Sequence, residues 1–143
     1  MQSDNEKMLQ EIVQNTEMGK NTLDELMGLT YDQKLKDEMM RQKNEYRRLN
    51  QQAHTALDAI GAQAKGQSAA ARMSVSMGIR TRTMMDKSTR NLATMLAEGS
   101  GQGVLDCKRA ERDSPEASPG AFKLCHELGA FQSDAEETWR GFV

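Results

Sequence analysis

The strongest constraint on the fold is an unbroken series of residues between positions 35 and 60. Its members recur at alternating steps of four and three, an average spacing of 3.5 residues. This spacing places them along one side of an α-helix that packs lengthwise against other helices. The series therefore predicts a helix over about residues 31–61, capped by Thr30 or Asp32. The members are Leu35, Met39, Gln42, Tyr46, Leu49, Ala53, Ala56 and Ile60.

Similar spacing predicts three further helices, over about residues 6–28, 69–110 and 119–142. No alternating run of Val, Ile, Thr or Tyr predicts a strand. Four amphipathic helices, each needing a partner, predict one all-α domain over residues 1–143 that folds as a four-helix bundle. In the last helix the repeating residues are Leu124, Leu128, Phe131, Ala135, Thr138 and Phe142, with Phe122 and Trp139 beside them.

Residues at the predicted helix ends have the chemistry of caps. Asp4 is a candidate N-cap for the first helix, and Gly28 stands where a C-terminal glycine belongs. Ser68 is a candidate N-cap for the third helix. Ser118 followed by Pro119 forms a favourable N-cap and first-residue pair for the last helix.

The order of the helices depends on the link between the second and the third. Gly61–Ser68 contains eight residues and reaches at most about 27 Å when extended. A helix of about 25 residues spans about 38 Å, so this link is too short to run the length of a bundle. We therefore predict an up-down-up-down order. A ferritin-like order with a crossover is the alternative, because it would separate the first and last segments, each of net charge −4.

The third predicted helix contains a methionine-rich and glycine-rich segment, Met84–Gly103. Each glycine costs about 1 kcal/mol relative to alanine inside a helix. The helix therefore either ends at these glycines or continues because close packing offsets the cost. The length from residue 69 to 110 favours a bend, which we expect near Gly99–Gly103.

No metal-binding or catalytic motif stands out. A di-iron site in a helical bundle uses Glu-x-x-His on two helices, and this motif does not occur here. A degenerate metal-binding or redox bundle remains an alternative function, and it would have to bring Glu45, Glu98 and Glu127 together in the interior. We assign no catalytic residue and no cofactor.

The cysteines and histidines also lack the spacing of a site. Cys107 and Cys125 are too few and too far apart for a disulfide framework or a zinc site, and we expect reduced, partly buried thiols. His126 lies next to Cys125, but adjacent residues of a helix point about 100° apart, so the two side chains do not converge. His54 has polar neighbours and is expected to be exposed.

A strip of basic residues on the third helix suggests binding of an anionic ligand as a weaker alternative. Nucleic-acid binding is disfavoured, because the chain has a pI near 5.7 and lacks aromatic residues among these basic positions. Salt bridges between helices are the simplest role for the strip. Its members are Arg72, Arg80, Arg82, Lys87 and Arg90.

The function that the sequence favours is non-catalytic association with a protein partner or with a second copy as a homodimer. Methionine suits adaptable interfaces, although for any single methionine packing in the core is the more common role. The polar N-terminal sequence has no character of a signal or transit peptide, and no apolar run approaches about 20 residues, so we expect a cytoplasmic protein with no membrane partner. The candidate interface residues are Met73, Met77, Met84, Met85, Met95, Gly99 and Gly103.

Three stretches resemble a family of small bacterial helical proteins to which no activity is assigned. They are the pattern DKS-x-x-x-x-A-x-M-L-x-x-G-S-x-x-G over Asp86–Gly103, the segment NTEMGKNTLDEL and the central EYRRL. The resemblance implies a four-helix bundle similar to ferritin-like proteins but without their metal ligands. Where the family would have a histidine, this chain has Asn91, which argues against a metal or acid–base role there.

Overall fold

The computed structural model describes residues 2–143, and this part of the chain contains five α-helices and no strand. The predicted all-α class is confirmed. The prediction of one long third helix is wrong, because two helices occupy that stretch. The five helices are α1 (Asp4–Met27), α2 (Gln33–Ala59), α3 (Ala69–Thr83), α4 (Thr89–Asp113) and α5 (Pro119–Arg140).

The chain breaks between α3 and α4 at residues 84–88. Ser88 Oγ accepts a hydrogen bond from the backbone N–H of Asn91 at 3.2 Å and caps α4. The Asn91 side chain donates from Nδ2 to the carbonyl oxygens of Arg82, at 3.1 Å, and Asp86, at 2.7 Å. The first bond satisfies a carbonyl that the end of α3 leaves without a helical partner, and the second lies within the turn. The break in the predicted third helix therefore lies at residues 84–88 and not at Gly99–Gly103, because α4 runs through these glycines without interruption.

Serine or aspartate caps every helix. Helix α1 begins earlier than predicted, because Ser3 rather than Asp4 is its N-cap and accepts from the Glu6 N–H at 3.1 Å. Gly28 ends α1 as expected. The caps of the other helices, α2 to α5, are Asp32, Ser68, Ser88 and Ser118.

The core lies among α1, α2, α4 and α5, with closest packing between α1 and α2 and between α4 and α5. The buried side of α2 follows the predicted series as far as Ala53 and then continues at Leu57. Ala56 is half-buried and Ile60 is exposed, because a helix turns every 3.6 residues and drifts away from a strict 3.5-residue repeat.

Two contacts define the direction of α4. At its start, Thr89 Oγ1 donates to the Asp32 carboxylate of the α2 cap at 2.8 Å. Beyond its other end, the backbone N–H of Glu116 donates to Asp4 at 2.9 Å. Helices α2 and α4 therefore begin at the same end of the molecule, and both run opposite to α1.

The up-down-up-down order is consequently wrong, and α3 explains why. The stretch around α3 lies along α1, from Gln67, whose backbone N–H donates to Glu17 at 3.1 Å, to Ser76, which donates to Glu25. The chain thereby returns from the end of α2 to the beginning of α4. The limit on reach assumed an eight-residue link, whereas the connection actually runs from residue 60 to residue 88.

No helix within residues 2–143 is both long enough and apolar enough to cross a membrane.

Candidate functional site

Four of the predicted interface methionines form an exposed surface on and just after α3. Met73, Met77, Met84 and Met85 are between 61% and 93% exposed, and we call them the methionine face. The residues of helix α3 that are buried are Ile79 and Thr83. Packing in the protein core is therefore not the role of these four side chains.

The methionine face stands among positive charges. Helix α3 contains three arginines and no acidic residue. Arg82 forms a salt bridge of 2.7 Å with Glu98 of α4. Arg72 and Arg80 are exposed, and neither forms a salt bridge with another residue of the described chain. The outer side of α3 is thus both apolar and cationic.

A groove of about 830 Å³ lies between α3 and α1. Met73, Met77 and Arg80 line it from α3, while Met18 and Glu25 line it from α1. Glu25 accepts a hydrogen bond from Ser76 through Oε1, and its buried Oε2 has no partner among the described residues. The groove makes the surface concave, a shape that suits a binding surface better than an isolated exposed helix.

The other predicted interface residues lie elsewhere, at a cavity of about 410 Å³ between α1 and α4. Met95, Gly99 and Gly103 line this cavity from α4. Gly99 is exposed at its edge, and Gly103 is buried. The structure therefore separates the predicted interface set into a surface on α3 and a cavity wall on α4.

Two glycines allow polar side chains to reach the inner wall of this cavity. A β-carbon on Gly103 would overlap the amide of Gln132, which α5 carries against α4. A β-carbon on Gly19 would lie 2.5 Å from Cζ of Tyr46, which α2 carries beneath α1. Each glycine thus provides the space that a neighbouring helix fills with a polar group.

Gln132, Tyr46 and Asn15 form a hydrogen-bond network across three helices. Gln132 Nε2 donates to Asn15 Oδ1 at 2.7 Å and to the Tyr46 hydroxyl at 3.1 Å. Asn15 Nδ2 donates to the Gly103 carbonyl at 3.3 Å and to Gln132 Oε1 at 3.4 Å. Burial raises the pKa of Tyr46 to about 12, so its hydroxyl remains neutral at physiological pH.

Both cysteines are free and lie next to this network, and they are buried rather than partly buried as predicted. Cys125 Sγ donates to the Cys107 carbonyl at 3.5 Å. The neighbouring Cys125 thiol and burial together hold the pKa of Cys107 well above its ordinary value. Cys107 is therefore protonated, and a buried thiol of this kind is a poor nucleophile and metal ligand.

The three carboxylates of the metal-binding alternative lie on the surface and do not converge. Glu45 of α2 pairs with Arg48, which is also 3.7 Å from Glu127 of α5. Glu98 of α4 pairs with Arg82. Within residues 2–143, no three His, Cys, Asp or Glu side chains are grouped so that they could hold a metal ion.

The histidines take no part in either region. His126 is exposed on α5, with Nδ1 3.9 Å from Glu111. His54 is half-buried rather than fully exposed.

Gln132 and Asn15 were not among the predicted site residues. On α5 the buried series is Leu124, Leu128, Gln132, Ala135 and Trp139, whereas the predicted series took Phe131 as an inward residue. Phe131 packs instead at the margin, edge-on against Tyr46 with ring centroids 5.0 Å apart. The spacing from Leu128 through Gln132 to Ala135 was a signal that Gln132 points inward. Phe131 satisfies the same three- and four-residue spacing and, being aromatic, was taken as the buried residue instead.

Comparison with known proteins adds no relative: no family model, no curated protein and no solved structure matches this chain.

Proposed function

We propose that this protein is a non-catalytic cytoplasmic protein that acts by association, and that a second copy of the same chain binds at the methionine face. The observation that supports this proposal is the exposure of four large apolar side chains on one short segment. Full burial of a methionine side chain contributes about 1.5–3 kcal/mol. Covering two of them in a dimer would therefore stabilise it appreciably.

Charge complementarity favours a second copy as the occupant. Residues 69–90 contain five basic residues and one acidic residue, a net charge of +4. The whole chain has a net charge of −2, so the remainder carries −6. The cationic methionine face of one copy would then meet a surface of opposite charge on the other, which favours encounter and orientation.

The finer features of the fold are part of the same proposal. The four long helices α1, α2, α4 and α5 are the elements of a four-helix bundle, with α3 as the crossover that a ferritin-like order requires. The resemblance to the small bacterial helical family supports this architecture. Asn91 stands where that family would have a histidine, and its hydrogen bonds to the turn before α4 give it a structural role.

The two other functions considered have less support. The carboxylates Glu45, Glu98 and Glu127 would have to leave their arginine partners to bind a metal ion together. An anionic ligand could bind Arg72 and Arg80, but it would leave the neighbouring methionines without a role.

The test is sedimentation equilibrium of the full chain over a range of concentrations. We expect a dimer whose dissociation constant rises about a hundredfold in the double variant Met73→Gln/Met77→Gln, equivalent to about 3 kcal/mol. We also expect dissociation to increase between low and high salt, because salt screens exposed charges.

The matched control is Met40→Gln/Leu105→Gln, which removes two exposed apolar side chains outside α3 and should leave the dissociation constant unchanged. A protein that remains monomeric at all concentrations contradicts self-association. Equal weakening by both double variants would place the contact elsewhere.

A further inference from the structure

We propose that the cavity between α1 and α4 binds an uncharged, largely apolar small molecule that carries a carbonyl or similar hydrogen-bond acceptor. This inference does not depend on association at α3. No residue of the methionine face lines the cavity. The two proposals can therefore fail separately.

The cavity has the size and composition of a small-molecule site. Its volume of about 410 Å³ lies within the range of about 300–1,000 Å³ that such sites occupy. Leu23, Leu96, Met95 and Trp139 contribute apolar wall. Walls of this kind would cover the apolar body of a ligand, and a few polar groups would orient it.

The polar groups at the inner wall have unused hydrogen-bonding capacity. The Tyr46 hydroxyl accepts from Gln132 at 3.1 Å, but its own proton has no acceptor within residues 2–143. Gln42 donates to Glu38 at 3.4 Å, and its Oε1 accepts from none of the described residues. Tyr46 and Gln42 are only 4% and 1% exposed. This free donor and this free acceptor face the cavity and are available to a ligand, whereas the buried side-chain oxygen without a partner in the described chain is Glu25 Oε2 in the groove beside α3.

The same groups select against charge. Tyr46 stays neutral because burial raises its pKa to about 12, and Gln42 and Gln132 carry no charge. The charged residues of the lining are Glu11, Asp106 and Arg109, and of these Glu11 and Arg109 are exposed to solvent. Arg109 already pairs with Asp106 at 2.6 Å. A charge brought to the inner wall would lose its hydration without gaining an opposite charge, which is costly.

Gly99 keeps the entrance of the cavity open. It lines the cavity, and a β-carbon built on it would have no atom within 4 Å. A larger side chain at position 99 can therefore enter this space without disturbing the helix that carries it. Gly78 on α3 has the same open surroundings but does not line the cavity, so it provides a matched control.

The experiment is a titration with prodan, a neutral naphthalene ketone whose emission shifts to the blue in apolar surroundings. Trp139 is the only tryptophan of the chain and lines the cavity, so bound prodan should quench its fluorescence. We expect binding with blue-shifted emission and quenching, at least tenfold weaker binding by Gly99→Leu, and unchanged binding by Gly78→Leu. Circular dichroism and sedimentation of both variants separate this result from loss of fold or dimer.

A third variant, Tyr46→Phe, tests the hydrogen bond to the ligand. It should bind prodan roughly tenfold more weakly and shift its emission further to the blue, because the carbonyl loses its donor. The proposal is overturned if the wild-type protein does not bind prodan up to the solubility limit of the dye. It is also overturned if Gly99→Leu binds as the wild-type protein does, which would place the dye outside the cavity.

Discussion

Helices α3 and α4 have similar compositions, but α4 belongs to the core and α3 is largely exposed. Both combine small residues, methionines and arginines, and the sequence pattern joined them into one helix. Helix α4 buries eight of its 25 residues, whereas α3 buries two of its 15. The difference lies in the partners: α4 packs against both α1 and α5, but the contacts of α3 are mainly with α1. A helix of this composition can therefore be buried or exposed, and the number of helices packed against it determines which.

The largest effect should come from removing a core side chain of α4. Leu92 is fully buried, and Leu92→Ala should lower the free energy of unfolding by about 3 kcal/mol through lost burial and the cavity left behind. Met77→Ala on α3 should change it by less than about 0.5 kcal/mol, because an exposed side chain loses little on truncation. Urea denaturation of both variants at a concentration where the protein is monomeric checks this contrast. Comparable losses would mean that α3 is as well packed as α4.

A smaller effect is expected from the glycines of α4. Gly103→Ala should destabilise the protein by about 2 kcal/mol, because the new methyl group would collide with the Gln132 amide. Gly99→Ala should instead stabilise it by up to about 1 kcal/mol, since alanine favours a helix and the position is open. Thermal or urea unfolding measures both. If the two variants shift stability in the same direction, close approach at Gly103 is not what the glycine provides.

The turn between α3 and α4 should contribute less to the free energy of unfolding than these glycines do. Asn91→Ala removes the hydrogen bonds to Arg82 and Asp86 and should cost about 1 kcal/mol. Hydrogen exchange should show faster exchange in α3, with little change at the centre of α4. Asn44→Ala, at an exposed position of α2, is the control and should leave exchange in α3 unaltered.

The smallest effect should be the pH dependence of the contact that anchors the start of α4. Hydrogen bonds from Thr89 and from the Leu35 N–H hold the pKa of Asp32 below its ordinary value of 3.8. The ionised carboxylate therefore stabilises the fold above that pH, and its contribution is lost as the pH falls through the lowered pKa. Asp32→Asn should melt at a lower temperature than the wild-type protein at pH 7, and the difference should close in acid.

Much of the fold could be predicted because local chemistry determined it. The four-three series through Leu35, Tyr46 and Ala53 and the caps at Ser68 and Ser118 each specify a local structure. The break at Ser88 was missed although Ser88 is also a good cap, because the methionines on both sides continue a helical spacing. The order of the helices depended on this break, so one local error changed the predicted topology.

The cavity was harder to predict, because it depends on pairs of residues far apart in the sequence. Gly103 indicates a close approach only when Gln132 is known to lie against it. The same holds for Gly19 and Tyr46. A sequence shows a glycine but not the side chain that occupies its space. The exposure of the methionine face was not predictable either, because exposed and buried methionines share one helical spacing and only the neighbouring helices determine which of them are covered.

The contact between Gly19 and Tyr46 also determines the axial alignment of the first two helices. The tyrosine ring fits only beneath a residue without a side chain. Sliding α1 by one helical turn would place Asn15 or Leu23 over the ring, where a β-carbon cannot be accommodated. The pair therefore fixes the position of α1 along α2. In this position Asn15 of α1 and Tyr46 of α2 lie at the same level of the bundle and both hydrogen-bond with Gln132.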